Sequence, residues 1–176
     1  TADWVLENYT SSTVQVVKVR NAPRFNLSRA RNLGARFAPS GWWCFFDADW
    51  VTAPGWSDAV RSKLRAGRYL LANPIQWSQF GSVVCRRSDF VSCGGYDPLF
   101  TGWGAEDGDF YSRLRQVGIR PGSFPGRYFS SIKHDDDARV EHYADKDKKR
   151  NQLLHENYHW KKVRTMLDLG RLTTPD

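Results

Sequence analysis

Two short apolar segments separated by a helix-like segment constrain the fold of this chain most strongly. Residues 13–19 (TVQVVKV) are rich in β-branched side chains, and residues 42–46 (WWCFF) form a second apolar run. Both are predicted to be strands, the first of them buried. Between them, Asn26 or Ser28 can cap a helix that runs to about Phe37. This order favours parallel strands joined by a crossover helix, so the sequence predicts an α/β domain with a mainly parallel central sheet.

The rest of the chain continues the alternation of strands and helices. Further strands are predicted at Tyr69–Ala72 and Ser82–Cys85, with Ser131–Lys133 as a short extended piece. Helices are predicted from Pro54 to about Ala66, from Ala105 to Val117 with Gly118 as a stop, and from about Ala144 onward. Residues 119–130 are rich in Gly, Pro and aromatics and are predicted to be loop. The last helix is predicted to bury a stripe formed by Trp160, Val163, Met166 and Leu167.

The composition bounds the class of protein. The 176 residues fit one domain, and 40% apolar content with eight Trp excludes a disordered chain. A net charge of +7 favours nucleotide phosphates, acidic glycans, nucleic acid or a membrane surface, without choosing among them. No apolar run approaches the roughly 20 residues that cross a bilayer, and no secretory leader is visible.

The cysteines favour a reducing compartment. Cys44, Cys85 and Cys93 are odd in number and lack the spacing of a metal site, so a disulfide framework is not expected. Cys44 lies in an apolar run and is predicted to be a small core residue. The expected location is cytoplasmic, at the inner face of the membrane if the basic C-terminal helix contacts lipid, or the Golgi lumen in a eukaryote.

Asp47 and Asp49 follow directly after the predicted strand at residues 42–46. The carboxyl end of a parallel strand lies at the ligand crevice of an open α/β sheet, and side chains two residues apart can point the same way. Mg²⁺ and Mn²⁺ prefer such hard oxygen ligands. One interpretation is therefore a divalent-cation site, and the other is a solvated turn before the helix at Pro54.

The segment GGYDPLFTGWGAEDGDF, residues 94–110, is the most distinctive motif. Gly102 and Gly104 flank Trp103; glycine lets backbone approach a ligand, and an indole offers a flat face to a sugar ring. The predicted helix that follows begins with three acids, Glu106, Asp107 and Asp109. The helix macrodipole favours acids there without any function, but such a carboxylate also suits a general base that deprotonates a hydroxyl.

Histidine and arginine positions carry weaker signals. His134 precedes three Asp and is either a Mn²⁺ or Zn²⁺ ligand or a surface histidine beside a solvated acidic run. Arg29 and Arg31, early on the predicted helix, suit bidentate contact with phosphate or form a solvated basic face. His155 and His159 are spaced to share one helical face, with no zinc-protease motif beside them.

Together the motifs resemble those of GT-A fold glycosyltransferases. FNLSRARNLGA, FFDAD, residues 94–110 and IKHDDD occur in the order found in that group. The resemblance is strongest to the β-1,4-galactosyltransferase family and to the galactosaminyl- and glucuronyl-transferase domains of chondroitin-synthase-like enzymes, and it covers roughly residues 13–150. It implies a Rossmann-like, inverting, metal-dependent transferase that uses a nucleotide-sugar donor, usually UDP-linked.

The resemblance also implies roles for individual residues. Asp49 and His134 would hold Mn²⁺ or Mg²⁺, and Asp47 would support the metal or the nucleotide ribose. Asp107 would be the base that deprotonates the acceptor hydroxyl for attack on the anomeric carbon. The remaining donor- and acceptor-binding positions would be Phe25, Asn26, Arg29, Arg31, Asn32, Trp103, Gly104, Glu106 and Asp109.

The chain departs from the family pattern at several positions. Leu27 stands where the galactosyltransferases have an Arg, which Arg29 or Arg31 would replace. Ser131 stands where they have a Met metal ligand, and Gly108 interrupts the acidic run. The chain also begins near the second strand of the fold. The resemblance therefore implies a single catalytic domain over residues 1–176 that is N-terminally incomplete and lacks the first β-α unit.

The predicted function is metal-dependent, inverting transfer of a hexose or N-acetylhexosamine from a UDP-sugar to a glycan hydroxyl, in polysaccharide or glycoconjugate synthesis. The alternative is a non-catalytic carbohydrate-binding or scaffold domain derived from such an enzyme. Nucleic acid is not an expected partner, because the basic residues cluster only modestly at Lys146–Arg150 and no nucleic-acid motif is found. Peripheral contact of the basic C-terminal helix with an anionic membrane is a further expectation.

Overall fold

The computed structural model describes residues 2–8, 14–20, 24–74, 80–133 and 135–170. Within these ranges the helices are α1 (Ala2–Asn8), α2 (Leu27–Phe37), α3 (Trp56–Arg61), α4 (Arg87–Ser92), α5 (Glu106–Gln116), α6 (Asp136–Val140) and α7 (Lys148–Leu169). The strands are β1 (Trp42–Phe45), β2 (Trp50–Thr52), β3 (Arg68–Asn73), β4 (Val83–Arg86), β5 (Arg120–Pro125) and β6 (Phe129–Ser131). They form a four-stranded sheet in the order β1-β4-β3-β5 and a two-stranded sheet of β2 and β6.

The four-stranded sheet is mixed. β1 and β3 each pair antiparallel with β4, whereas β5 pairs parallel with β3. Three strands therefore share one direction, and β4 runs against them between β1 and β3. The α/β class is confirmed, but a mainly parallel sheet is not, because most neighbouring pairs in this sheet are antiparallel.

Alternation along the strands gives this sheet two packed faces. On one face, Tyr69 and Val83 lie in a buried cluster with aromatic and aliphatic side chains from α2, α4 and α5. On the other face, Leu70 and Val84 pack with α3 and with Phe129 of the small sheet. Consequently α2 and α5 lie on the same face, which brings two of the sequence motifs together.

The predicted helix after Pro23 is confirmed as α2. Asn26 is its N-cap, and its side-chain oxygen accepts a hydrogen bond from the Arg29 backbone N–H at 2.8 Å. α5 ends close to Gly118, whose φ of +84° is the left-handed conformation expected after a helix. α3 is shorter than predicted, because beyond Arg61 the chain continues in turns closed by hydrogen bonds between residues three apart.

The prediction of loop over residues 119–130 is wrong. This segment contains β5, which pairs with β3 over its whole length, and β6. Pro121 cannot donate to a ladder, yet an edge strand tolerates it. Gly122 fits because a Cβ there would lie 2.8 Å from Leu70 Cδ2. Residues that normally mark turns therefore form an edge strand here.

The prediction of a buried strand at residues 13–19 is also wrong for the described part, residues 14–19. These residues form no strand, and Val14, Val17 and Val19 are exposed. β-Branched residues favour a strand only where a partner strand completes the ladder.

The prediction that Cys44 is a small core residue is also wrong. This β1 residue is exposed, whereas Cys85 and Cys93 are buried.

α7 buries a different stripe from the predicted one. Met166 is buried as expected, but Trp160 and Leu167 are 66% and 64% exposed. The buried residues of this helix are Asn151, His155, His159, Lys162 and Met166. Within the described ranges, no helix combines the length and apolar character needed to cross a bilayer.

A buried charged network explains why α7 buries polar side chains and exposes apolar ones. Arg113 of α5 is fully buried, pairs with Asp109 at 2.8 Å and donates to the Cys93 carbonyl at 2.7 Å. Lys162 of α7 lies 3.0 Å from Asp109 and 2.5 Å from Asp97. The network joins α5, α7 and the turn between α4 and α5, so polar side chains are drawn to the inner face of α7.

Replacement of Arg113 by Met tests this network. The variant should lose about 3–5 kcal/mol of unfolding free energy, because Asp109 and two backbone carbonyl groups would remain buried with fewer partners. Urea denaturation measures the loss. Arg36→Met, at an exposed position of α2, is the control and should change stability by less than about 1 kcal/mol. Similar losses in both variants would contradict a structural role for the network.

Candidate active site

Arg31 joins the start of α2, the end of β1 and the start of α5. Its two terminal nitrogens donate to Asp47 Oδ1 and Asp107 Oδ1, each at 2.7 Å, and Glu106 Oε1 lies 3.7 Å away. The guanidinium is 4.8 Å from the centre of the Tyr96 ring, and the side chain is only 7% exposed. Four residues predicted from three separate motifs therefore form one cluster.

Local backbone geometry presents the acids of α5 to this cluster. Gly104 and Ala105 both have positive φ, +94° and +68°, so the chain turns sharply immediately before the helix begins at Glu106. Such a φ favours glycine and strains alanine. The turn directs Glu106 and Asp107 toward Arg31, whereas Asp109 points into the network around Arg113.

Gly81 completes the cluster from the start of β4. A Cβ at this position would lie 2.8 Å from Asp47 Oδ2 and 3.2 Å from both Arg31 Nη2 and Asp107 Oδ2. Gly81 therefore lies against the second oxygen of each carboxylate, and a side chain at this position would collide with Asp47. Gly81 was not predicted from the sequence, because a lone glycine before a strand gives no local signal.

Burial controls the ionisation of the two α5 carboxyls. It raises the pKa of Asp107 well above its ordinary value, the Arg31 guanidinium opposes this effect, and neighbouring Glu106 and Asp47 reinforce it. Burial likewise raises the pKa of Glu106, again opposed by Arg31. A raised pKa increases the proton affinity of Asp107, which is the direction that suits a group that accepts a proton.

The cluster contains more carboxyl groups than cationic groups. Three carboxylates face one guanidinium, and among the described residues Glu106 Oε2 is buried without a hydrogen-bond partner. A cation together with a ligand that donates hydrogen bonds would satisfy both features. Hard carboxylate oxygens are the donors that Mn²⁺ and Mg²⁺ prefer, so the chemistry of Asp47 is compatible with a divalent cation.

Asp49, the second predicted metal ligand, is half-buried beside the small sheet. Its carbonyl accepts a hydrogen bond from the Ile132 N–H at 2.8 Å, next to the β2–β6 ladder. His134 lies outside the described residues, so its predicted ligand role stays a prediction. Within the described ranges no group of three His, Cys, Asp or Glu side chains is positioned to hold a metal.

The other predicted residues of α2 have structural contacts. Asn26 donates to the Pro98 carbonyl at 2.9 Å, and Asn32 exchanges two hydrogen bonds with the backbone of Tyr96 at 2.7 and 2.8 Å. Both asparagines therefore tie α2 to the turn before Trp103. Phe25 packs edge-on against Tyr143, and Arg29 is exposed. Direct contacts of these residues with a donor remain predictions.

The Asp109 side chain pairs with buried residues of α5 and α7 and does not face the Arg31 cluster. Burial disfavours its charged form, but His159, Arg113 and Lys162 together lower its pKa to about 2. Its side chain is fully buried among these partners. The structure therefore gives no support to a substrate contact by Asp109.

Trp103 is half-buried at the tip of the loop before α5, and α7 supports this loop. Lys148 Nζ lies 4.6 Å from the centre of the indole, and His155 contacts the backbone of Gly102 and Gly104. The spacing of His155 and His159 in the sequence predicted a shared helical face but no connection to Trp103. That connection depends on how α7 folds back over α5.

Known galactosyltransferases resemble this chain in fold. A family model described as the N-terminal domain of galactosyltransferase matches residues 63–135. A solved structure of a Drosophila β-1,4-galactosyltransferase 7 mutant, in complex with manganese, UDP-Gal and xylobiose, superposes with a TM-score of 0.54. The chain has the GT-A fold and is similar to galactosyltransferases. The resemblance found in the sequence motifs is thereby confirmed.

The structural match is partial in length and distant in sequence. The mutant structure shares 20% identity, with 73% of this chain and 60% of that chain covered. The catalytic domain of Drosophila β-1,4-galactosyltransferase 7 with xylobiose gives a TM-score of 0.54 at 21% identity, covering 72% of this chain and 59% of that one. This chain thus spans about three fifths of these structures. No curated protein sequence matches this GT-A chain.

Replacement of Arg31 by Met tests the cluster without any ligand. The variant should lose about 3 kcal/mol of unfolding free energy at pH 8, because its buried carboxylates lose their cation. The loss should be smaller at pH 5. Without the guanidinium the pKa of Asp107 rises further, and a carboxyl with a raised pKa costs stability only as pH rises through that value.

Chemical denaturation at the two pH values measures both effects. Arg36→Met, an exposed position on the same helix, is the matched control and should change stability little at either pH. A loss in Arg31→Met that is independent of pH would contradict the assignment of buried carboxylates as its partners.

Proposed function

We propose that this chain is a catalytic glycosyltransferase domain that transfers a hexose or N-acetylhexosamine from a UDP-sugar to a glycan hydroxyl with inversion. One observation carries the proposal: Arg31 holds Asp47, at the predicted cation-binding end of β1, and Asp107, the predicted base, in a single buried cluster. Such a transfer requires cation-binding oxygens close to a proton acceptor.

The proposed chemistry assigns the acceptor to Asp107 and the donor to the Asp47 end of the cluster. The acceptor hydroxyl lies at Asp107, which takes its proton as the oxygen attacks the anomeric carbon and the UDP group leaves. Arg31 keeps one Asp107 oxygen fixed at 2.7 Å, so the other oxygen, beside Gly81, receives the proton. Glu106, with its unpartnered Oε2, would accept a hydrogen bond from a sugar hydroxyl.

Asp49, Asp47 and His134 would hold a Mn²⁺ or Mg²⁺ ion. When bound, such an ion offsets the negative charge of the diphosphate leaving group. The Drosophila relative was solved with manganese and UDP-Gal, which supports this choice of cofactor and donor class. Phe25, Asn26, Arg29, Asn32, Trp103 and Gly104 remain proposed donor- and acceptor-side residues.

A non-catalytic carbohydrate-binding or scaffold domain is the second candidate. The ion pairs of Arg31 favour it, since a guanidinium already occupies one oxygen each of Asp47 and Asp107, which a cation and an acceptor hydroxyl would otherwise contact. Slow hydrolysis of a UDP-sugar in the absence of acceptor would separate the two candidates, because a pure binding domain turns over no donor.

Asp107→Asn is the direct test of the base. With UDP-galactose as donor and xylobiose as first acceptor, the variant should lose about 10²- to 10⁴-fold in transfer rate while still binding UDP. The matched control is Asp58→Asn, an exposed acid in the first turn of α3. Transfer by Asp107→Asn at near the wild-type rate would refute the role of Asp107.

The proposed transfer serves the synthesis of a polysaccharide or glycoconjugate. The outer face of α7 supports a peripheral contact of the protein with a membrane. Leu153, Trp160 and Leu167 recur every seven residues on one side of the helix and are 61%, 66% and 64% exposed. Exposed basic residues flank this apolar row: Lys149, Arg150, Lys161 and Arg164. Apolar residues bordered by positive charge suit the surface of an anionic bilayer, and a cytoplasmic membrane face would provide one.

Vesicle sedimentation tests this contact. The protein should bind phosphatidylserine vesicles more strongly than phosphatidylcholine vesicles, and Trp160→Ser should weaken the binding, since it removes the largest apolar group of the row. Val91→Ser, which changes an exposed residue of α4, should not. Equal binding to both vesicle types, or self-association through this row, would contradict the membrane role.

A further inference from the structure

His155 contacts the backbone on both sides of Trp103. Its Nδ1 lies 3.0 Å from the Gly104 carbonyl oxygen, and its Nε2 accepts a hydrogen bond from the Gly102 N–H at 3.4 Å. The indole itself makes neither bond. One imidazole of α7 therefore connects the two residues that flank the proposed sugar-stacking side chain.

These two contacts fix the protonation state of the ring. A carbonyl oxygen only accepts, so Nδ1 must carry the proton; the Gly102 N–H only donates, so Nε2 must be bare. The neutral Nδ1–H tautomer satisfies both partners. A protonated imidazole would point its second N–H at the Gly102 N–H, so the Gly102 contact would be lost, and the backbone of Trp103 would favour this charged form.

The loop lies close enough to α7 for this contact to matter. A Cβ on Gly102 would fall 3.1 Å from His155 Cε1 and closer still to the Asn151 side chain. Phe100 packs edge-on against the imidazole at 5.4 Å. Gly102 is therefore required here by close approach to α7, which accounts for one of the two glycines that flank Trp103.

We propose that His155 is a positioning residue for the Trp103 loop and that it holds Trp103 ready for the glycan acceptor only while its imidazole is neutral. The role of His155 in acceptor binding rests on the proposed function. The contact of His155 with the Trp103 loop does not. Binding of the nucleotide at the Asp47 end does not depend on it. Loss of the contact should therefore affect the acceptor and spare UDP.

The surroundings of His155 set the direction of its pH dependence. Burial lowers the pKa of His155 below its ordinary 6.5, opposed by the backbone of Gly104 and Trp103. The titratable neighbours on the same helix have other partners: His159 lies 3.7 Å from Asp109, and Tyr158 donates to Asp97 at 2.9 Å. Across the contact, the loop presents Phe100 and backbone groups to the ring.

Because the pKa of His155 is lowered in the folded state, the direction of the pH dependence of its contact follows. The contact contributes fully above the unfolded-state value and is lost as pH falls through the folded-state value. Acceptor binding should accordingly weaken in mildly acidic solution. The change should be about ten-fold in acceptor KM, the size expected for one hydrogen bond and its buried partner.

Nuclear magnetic resonance tests the contact without any substrate. Long-range ¹H–¹⁵N spectra, assigned with His155→Phe, should show the Nδ1–H tautomer at pH 7.5. The ¹⁹F signal of 5-fluorotryptophan at position 103, assigned with Trp103→Phe, should shift with the same midpoint as His155, below pH 6.5. It should not show this transition in His155→Phe. The Nε2–H tautomer, or a Trp103 signal that ignores the His155 midpoint, would overturn the proposal.

Kinetics with UDP-galactose and xylobiose links the contact to transfer. His155→Phe should raise the xylobiose KM about ten-fold, leave kcat within about three-fold and abolish the acidic rise in KM. His142→Gln, at an exposed histidine, should keep the wild-type profile. If UDP binds and the Trp103 signal ignores His155, only the positioning role fails. If the two signals titrate together but UDP does not bind, only the proposed function fails.

Discussion

A buried guanidinium must find anionic partners or unfold the segment that carries it, and Arg31 finds them on two elements distant in sequence. Asp47 follows β1 and Asp107 begins α5, and each oxygen lies 2.7 Å from an Arg31 nitrogen. The positions of α2, β1 and α5 relative to one another are therefore coupled to one charge cluster. The same cluster contains more acid than base, and burial raises the pKa of both Glu106 and Asp107.

α7 shows how a second charged network shapes the site from behind. Its inner face carries Asn151, His155, His159 and Lys162, and its outer face carries Leu153, Trp160 and Leu167. Most surface helices have the opposite arrangement. Polar side chains face inward because Asp97, Asp109 and the backbone around Trp103 need partners. The helix thereby fixes the loop that presents Trp103, while its apolar outer face remains available for a surface.

Local signals made part of this structure predictable from sequence. The Asn26 cap, the apolar β1 and the acids after Gly104 depend on neighbouring residues, and all lie where the patterns placed them. Arg31 was predicted to contact an anion, but its partners are carboxylates of the chain itself, which only the tertiary fold reveals.

Features that depend on distant contacts could not be predicted in this way. β5 contains two prolines and a glycine, and only its pairing with β3 makes it a strand. Gly81 and His155 acquire their roles through contacts with residues more than 20 positions away. Asp109 has the same local signal as Asp107 but turns toward Arg113 instead.

Calorimetric titration of UDP, first with Mn²⁺ and then with EDTA, tests the central claim that the Arg31 cluster is part of a metal-dependent nucleotide-sugar site. The account predicts UDP binding that requires Mn²⁺ and disappears with EDTA. Equal binding in both conditions, or none in either, would contradict it.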